Sequence, residues 1–138
     1  YCLNYSKIPD PSKAILFADS TRIKFITDIY PHNGVVDTLE YRTGPTSELS
    51  STPNPRDMYL YRNVNNVSSQ GSNLGITQFK LLYFNTFGNK LTTPVAVPSE
   101  IATIQIDVTV ENVAAYNNEY STAFWRQLRL TARNLKNR

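Results

Sequence analysis

The sequence predicts an α+β to mainly β domain built on an antiparallel sheet of about five to seven strands. Three observations carry that expectation. Phe79, Leu81 and Tyr83 alternate with Gln78 and Lys80, the period of a strand with one buried face. Ile104, Ile106, Val108 and Val110 alternate with Gln105, Asp107, Thr109 and Glu111 in the same way. Nine Tyr, six Phe and many Val, Ile and Thr favour strands, while eight Pro and five Gly punctuate loops. A chain of 138 residues fits one domain, residues 1–138, large enough to bury a core.

The elements follow in chain order. Residues 1–13 carry Pro9 and Pro11 and read as an extended lead-in. Ala14 to Ala18 is a short apolar strand, and Asp19-Ser20-Thr21 is a turn. Arg22 to Thr27 alternates, with Ile23 and Phe25 on one face. Asp28 to Gly34 is a loop in which Asn33-Gly34 signals a hairpin. In the strand from Val35 to Arg42, Leu39 and Tyr41 share a face, so Phe25, Leu39 and Tyr41 are core candidates. Thr43 to Arg56 has no period and reads as a long surface loop. Met58 to Val64 is a further strand, followed by a polar loop from Asn65 to Asn73.

The stretch from Ser72 to Leu91 then supplies the most apolar amphipathic strand and a turn at Asn85 to Asn89. Thr92 to Glu100 carries two prolines and belongs to an edge or loop. After the Ile101 to Glu111 strand, Asn112 to Asn118 is a polar hinge. The last segment, Glu119 to Asn134, has two readings. As a helix it lines Phe124, Leu128, Ala132 and Leu135 on one face, and its propensity favours that state. As a strand it aligns Phe124, Arg126, Leu128, Leu130 and Ala132. Composition leaves both open.

Charge and chemistry bound the function. The net charge of +3 is uneven. Residues 126–138 hold five basic groups and no acid, while the remaining chain holds nine basic and eleven acidic groups. Arg126, Arg129, Arg133 and Lys136 are therefore the candidate contacts for DNA or an acidic partner surface. The alternative for these residues is a solvated terminal strand with exposed Arg. Aromatic residues beside basic ones, at Tyr59, Tyr61 and Arg62 and at Trp125, Arg126 and Arg129, can stack on bases, but core and edge packing of a β-sheet gives the same pattern and is the favoured reading. His32, the single histidine, sits in a turn without a partner set for nucleophilic catalysis. Phosphate-loop and zinc spacings are absent from the sequence.

Asp28, Asn33 and Asp37 bracket the hairpin loop and are the candidate oxygen ligands for Ca²⁺. They do not match EF-hand spacing, and Asx residues in turns ordinarily bond their own backbone. No cofactor and no enzymatic activity are therefore expected. Cys2 alone excludes an internal disulfide. Asn66-Val67-Ser68 fits a glycosylation sequon. No apolar run approaches the roughly 18 residues of a membrane span. The chain does not begin with Met, so a segment upstream of Tyr1 is expected.

Taken in order, several pieces resemble the globular part of type IV pilin-like proteins, in particular the J-type pseudopilins and W-type minor pilins. They are Leu16 to Ser20; Asp28 with Asn33 to Tyr41; Asn54 to Arg62; Gly75 to Phe79 with Tyr83 to Asn85 and Gly88-Asn89; the Ile101 to Glu111 strand; and the closing Arg126 to Asn134 segment, which ends in Arg133-Asn134. The order spans roughly residues 14–135. The resemblance implies a pilin-like globular domain without its N-terminal anchoring helix. It implies that the final segment is a strand paired with Ile101 to Glu111. It further implies a structural subunit of a type IV pilus or type II secretion filament in the bacterial cell envelope, periplasmic or extracellular. The implied partners are other pilin or pseudopilin subunits and, through the missing helix, the inner membrane. A pilus-tip module that binds DNA or a surface ligand is the alternative. The surface loops Thr43 to Arg56 and Asn65 to Asn73 are the expected partner contacts.

Overall fold

The computed structural model describes residues 10–30, 35–69, 71–112, 117 and 119–131. Their architecture is two antiparallel sheets. The first joins β1 (Ile15–Ala18), β2 (Arg22–Thr27), β3 (Asp37–Thr43) and β4 (Leu60–Val64) in that spatial order. The second joins β5 (Ile76–Phe84), β6 (Thr103–Glu111) and β7 (Thr122–Leu130). The only helical elements among the described residues are 3-10 turns of three or four residues.

This corrects the expected fold class. The described chain forms two sheets of four and three strands, where one α+β or β sheet of five to seven strands was expected, and the arrangement is not the pilin-like α+β one. The period-two segments do form strands, but periodicity reports which face is buried and not which sheet a strand joins. The hydrogen-bonded series breaks after Val64: β4 and β5 are not neighbours in a sheet, and each sheet closes its own set.

The core forms where the sheets meet. Ile15, Ala18 and Ile23 of the first sheet pack with Leu81 and Tyr83 of β5 and with Ile101. Two bulges bring the right residues inward. In β1 the register slips between Ile15 and Phe17, so that both Ile15 and Ala18 are buried. In β5 it slips between Ile76 and Gln78, which turns Ile76 onto the buried face that Leu81 and Tyr83 share. Gly75, at φ +68°, precedes that slip. A Cβ there would meet the Glu111 carbonyl oxygen at 2.9 Å, so the close approach demands glycine.

The expected core face of β5 is therefore observed, although β5 lies at one end of its sheet and β6 is the middle strand. Of the other core candidates, Leu39 is fully buried, and Phe25 and Tyr41 pack partly buried against the cluster. The loop from Thr43 to Arg56 differs from its surface reading: Leu49 and Asn54 are buried within it. The last segment is a strand. β7 pairs along β6 from Ile104↔Leu130 to Glu111↔Thr122, and this pairing outweighs the helix propensity of its Ala, Gln, Leu and Arg.

The junction of the sheets rests on β5. The Tyr83 hydroxyl donates to the Asp19 carbonyl at 2.8 Å, and the Leu81 amide donates to the Ser20 carbonyl at 2.7 Å. Burial pushes the Tyr83 hydroxyl well above its ordinary pKa, so it stays a neutral donor. Leu81→Ala is expected to cost ~2–5 kcal/mol of stability, the range for a buried Leu that leaves a cavity. Tyr83→Phe is expected to cost about 1 kcal/mol through the lost hydrogen bond. Phe87, which is 86% exposed, serves as the control. Denaturant titration checks the series, and a Phe87→Ala cost equal to that of Leu81→Ala would contradict this assignment of the core.

Candidate functional site

The most unusual surface is the second sheet away from the junction. Residues paired across antiparallel strands share a face, so Leu81, Ile106 and Leu128 lie side by side, as do Tyr83, Ile104 and Leu130. Val108 with Arg126, and Val110 with Phe124, extend the row. Exposure rises across it. Leu81 and Tyr83 on β5 are 1% and 0% exposed. Ile104, Ile106, Val108 and Val110 on β6 are half-buried. Phe124, Leu128 and Leu130 on β7 are 44%, 43% and 46% exposed. The first sheet covers this apolar face over β5 and leaves it open toward β7. Every residue of β7 is exposed, including Trp125 on the opposite face.

That opposite face is polar and internally satisfied. Gln127 Nε2 donates to Asp107 Oδ1 at 2.9 Å, and Gln105 Nε2 donates to the same oxygen at 3.2 Å. Arg129 Nε donates to Gln105 Oε1 at 2.8 Å, and its guanidinium lies 4.7 Å from the Phe84 ring centroid. Thr109 Oγ1 donates to Gln78 Oε1. On that face Trp125 is the one exposed large apolar side chain of β7, whereas the other face carries Phe124, Leu128 and Leu130. A satisfied polar ladder is at rest in water, whereas an apolar strip is not, and this one is interrupted on β7 only by Arg126.

Two carboxylate clusters position the loops around this sheet. Glu111, at the end of β6, accepts Asn54 Nδ2 at 2.8 Å and Arg56 Nη2 at 2.7 Å, which ties the loop before β4 to the second sheet. Tyr120 donates to the Pro53 carbonyl and lies under the Arg56 guanidinium at 5.7 Å. Glu40, on β3, accepts Arg22 Nε and Asn63 Nδ2 and so links three strands of the first sheet. Burial pushes both carboxyls up, but hydrogen bonds outweigh it. Asn63 and Arg22 hold Glu40, and Asn54 and Arg56 hold Glu111, below the usual carboxylate range.

An open cavity of about 370 Å³ lies between β5 and the segment after its turn, lined by Ser20, Lys80, Leu82, Lys90, Leu91, Thr92 and Thr93. Its lining holds no carboxylate, thiol or imidazole to activate the Ser20, Thr92 and Thr93 hydroxyls, and Lys80 and Lys90 are its charged groups.

The sequence candidates fall as follows. Arg126 and Arg129 both lie on β7, on opposite faces, and so do not converge on one surface. Arg126 rests over the Phe124 ring at 5.5 Å. Arg133, Lys136, His32, Asn33 and Cys2 lie outside the described residues. Asp37 is buried and accepts the Ile29 amide on Oδ2 and Asn65 Nδ2 on Oδ1, which makes it a staple between two loops. Among the described residues no group of three or more His, Cys, Asp or Glu is placed to hold a metal ion. No described helix is long and apolar enough to cross a membrane. Asn66 stands in the two-residue turn with Asn65, both at positive φ, and accepts Lys24 Nζ at 2.6 Å.

Sequence reasoning missed the open strip. Its signal was present in the alternation of Phe124, Leu128 and Leu130, but exposure depends on what stacks above the sheet. No family model, curated protein or solved structure matches the chain.

The two carboxylate clusters give a pH dependence. A folded pKa below the unfolded one means the unfolded chain binds more protons within that window. The stabilisation is thus present above the ordinary value of 4.5 and is lost as pH falls through the folded pKa values. Urea midpoints should fall with pH in that acid window, and Glu40→Gln with Glu111→Gln should flatten the slope. A wild-type profile as flat as that of the double variant would contradict the assignment.

Proposed function

We propose that this domain is a non-enzymatic structural subunit that works by packing against other subunits of an assembly. The observation that carries the reading is the apolar strip of β6 and β7, which rises to 46% exposure at Leu130 and lies opposite a face whose Gln105, Asp107, Gln127 and Arg129 are hydrogen-bonded to one another. Two strands at the usual spacing span about 10 Å, and nine residues run about 30 Å. One apolar helix has nearly those dimensions, with a diameter near 10 Å and a length of about 30 Å for 20 residues. The strip therefore suits a single helix laid along it. Such a helix is what the segment order implies for a minor pilin or pseudopilin, and the assembly we propose is a type IV pilus or type II secretion filament of the bacterial envelope. Its partners would be other filament subunits and, through that helix, the inner membrane.

The positions of Arg126 and Arg129 favour packing over DNA binding, since they face opposite sides of β7 and each lies against an aromatic ring of this chain. The test is fractionation of sheared filaments from cells producing the full-length protein. The wild type is expected in the filament fraction. A Phe124→Ser, Leu128→Ser and Leu130→Ser variant, which replaces only exposed side chains, is expected to keep its circular dichroism and to fall at least about tenfold in that fraction. A wild type absent from filaments would overturn the reading, and a salt-dependent DNA shift lost with Arg126→Ala and Arg129→Ala would replace it.

A further inference from the structure

The edge of β7 raises a question separate from its apolar face. A strand edge carries unpaired amides and carbonyls and templates further pairing unless it is shortened or covered. The other edges here are managed. β4 is capped where Leu60 and Ser72 exchange two backbone hydrogen bonds and where Val64 pairs with Val67. The outer side of β5 meets Ser20 and Leu91, whose backbones bond Leu81 and Tyr83. β1 has four residues, and its Ala18 carbonyl accepts the Val95 amide. Among the described residues no backbone hydrogen bond reaches β7 on its outer side, and the strand runs nine residues.

We propose that β7 pairs with β7 of a second copy of this chain, antiparallel and centred on Gln127. With no other long free edge among the described residues, strand addition between copies has to be isologous. Side-chain faces restrict the register further. A two-fold centre between two residues would set apolar positions against polar ones, so the centre falls on a residue. Centring on Arg126 stacks Arg126 on its own copy, which like-charge repulsion disfavours. Centring on Gln127 sets Phe124 opposite Leu130, Arg126 opposite Leu128 and Trp125 opposite Arg129. Phe124 meets Leu130, and each guanidinium gains an apolar or aromatic neighbour, with a cation–π contact available at Trp125. The result is a six-stranded sheet whose two apolar strips lie on the same side. This goes beyond the assembly reading by naming the partner and register.

The experiment uses the full chain with Cys2→Ser. Gln127→Cys is expected to form a disulfide-linked dimer under mild oxidation, since opposed residues sit about 4.5–5.5 Å apart in Cα, within disulfide reach. Arg126→Cys faces Leu128 in this register and should cross-link at least about tenfold less. In sedimentation, the wild type should show a concentration-dependent dimer. Leu128→Arg sets like charges opposite each other and should weaken it about tenfold, and the added Arg126→Glu should restore it. A wild-type monomer with native circular dichroism would overturn the pairing, as would equal cross-linking at both positions or a dimer indifferent to the Leu128 and Arg126 changes. A wild-type monomer that still fractionates with filaments would remove the β7 pairing alone and leave the assembly reading standing.

Discussion

The hydrogen bond from the Tyr83 hydroxyl to the Asp19 carbonyl joins the two sheets at the centre of the core, and the Leu81 amide bonds the next residue of the same turn. Everything else in the fold is placed relative to that junction. It brings Ile15, Ala18 and Ile23 over β5, and so decides which part of the second sheet is covered. Because Tyr83 and Leu81 are buried, water is a poor substitute for either acceptor, and loss of a bond would leave an unsatisfied donor. The bulges in β1 and β5 serve the same contact by turning Ile15 and Ile76 inward.

The first sheet reaches one side of the second and stops. An apolar face that is closed at Leu81 and open at Leu128 is an unfinished core, and behind it runs a polar ladder broken only by Trp125 on β7. An apolar face left open in this way is what the proposed packing against a partner would cover. The long edge of β7, which no described residue covers, belongs to the same picture. Face and edge present different chemistry, one dispersive and one hydrogen-bonding, and two different neighbours can use them.

Much of this was legible in the residues. The strands from Arg22 to Thr27 and from Ile76 to Glu111 follow their alternation, and Leu39, Leu81 and Tyr83 are buried as their faces require. Asn54 was harder. A polar residue between two prolines reads as surface, yet it is fully buried because Glu111 and the Arg56 amide satisfy its side chain. That partner lies 57 residues away, and no local pattern announces it. The division into two sheets was not legible either, since period two is the same in both. For β7, propensity favoured a helix, and only the match of Leu128 and Leu130 to Ile106 and Ile104 favours a strand. The open strip was the least accessible feature, because exposure is a property of packing and not of sequence.

Hydroxyl-radical footprinting of side chains tests the central claim, that the second sheet is covered at β5 and open at β7, most directly. In the dilute, unassembled domain Phe124 and Leu128 are expected to label as exposed side chains, while Leu81 and Tyr83 stay unmodified. On assembly, Phe124 and Leu128 are expected to become protected. Labelling of Phe124 and Leu128 as slow as that of Leu81 in the isolated domain would contradict the account.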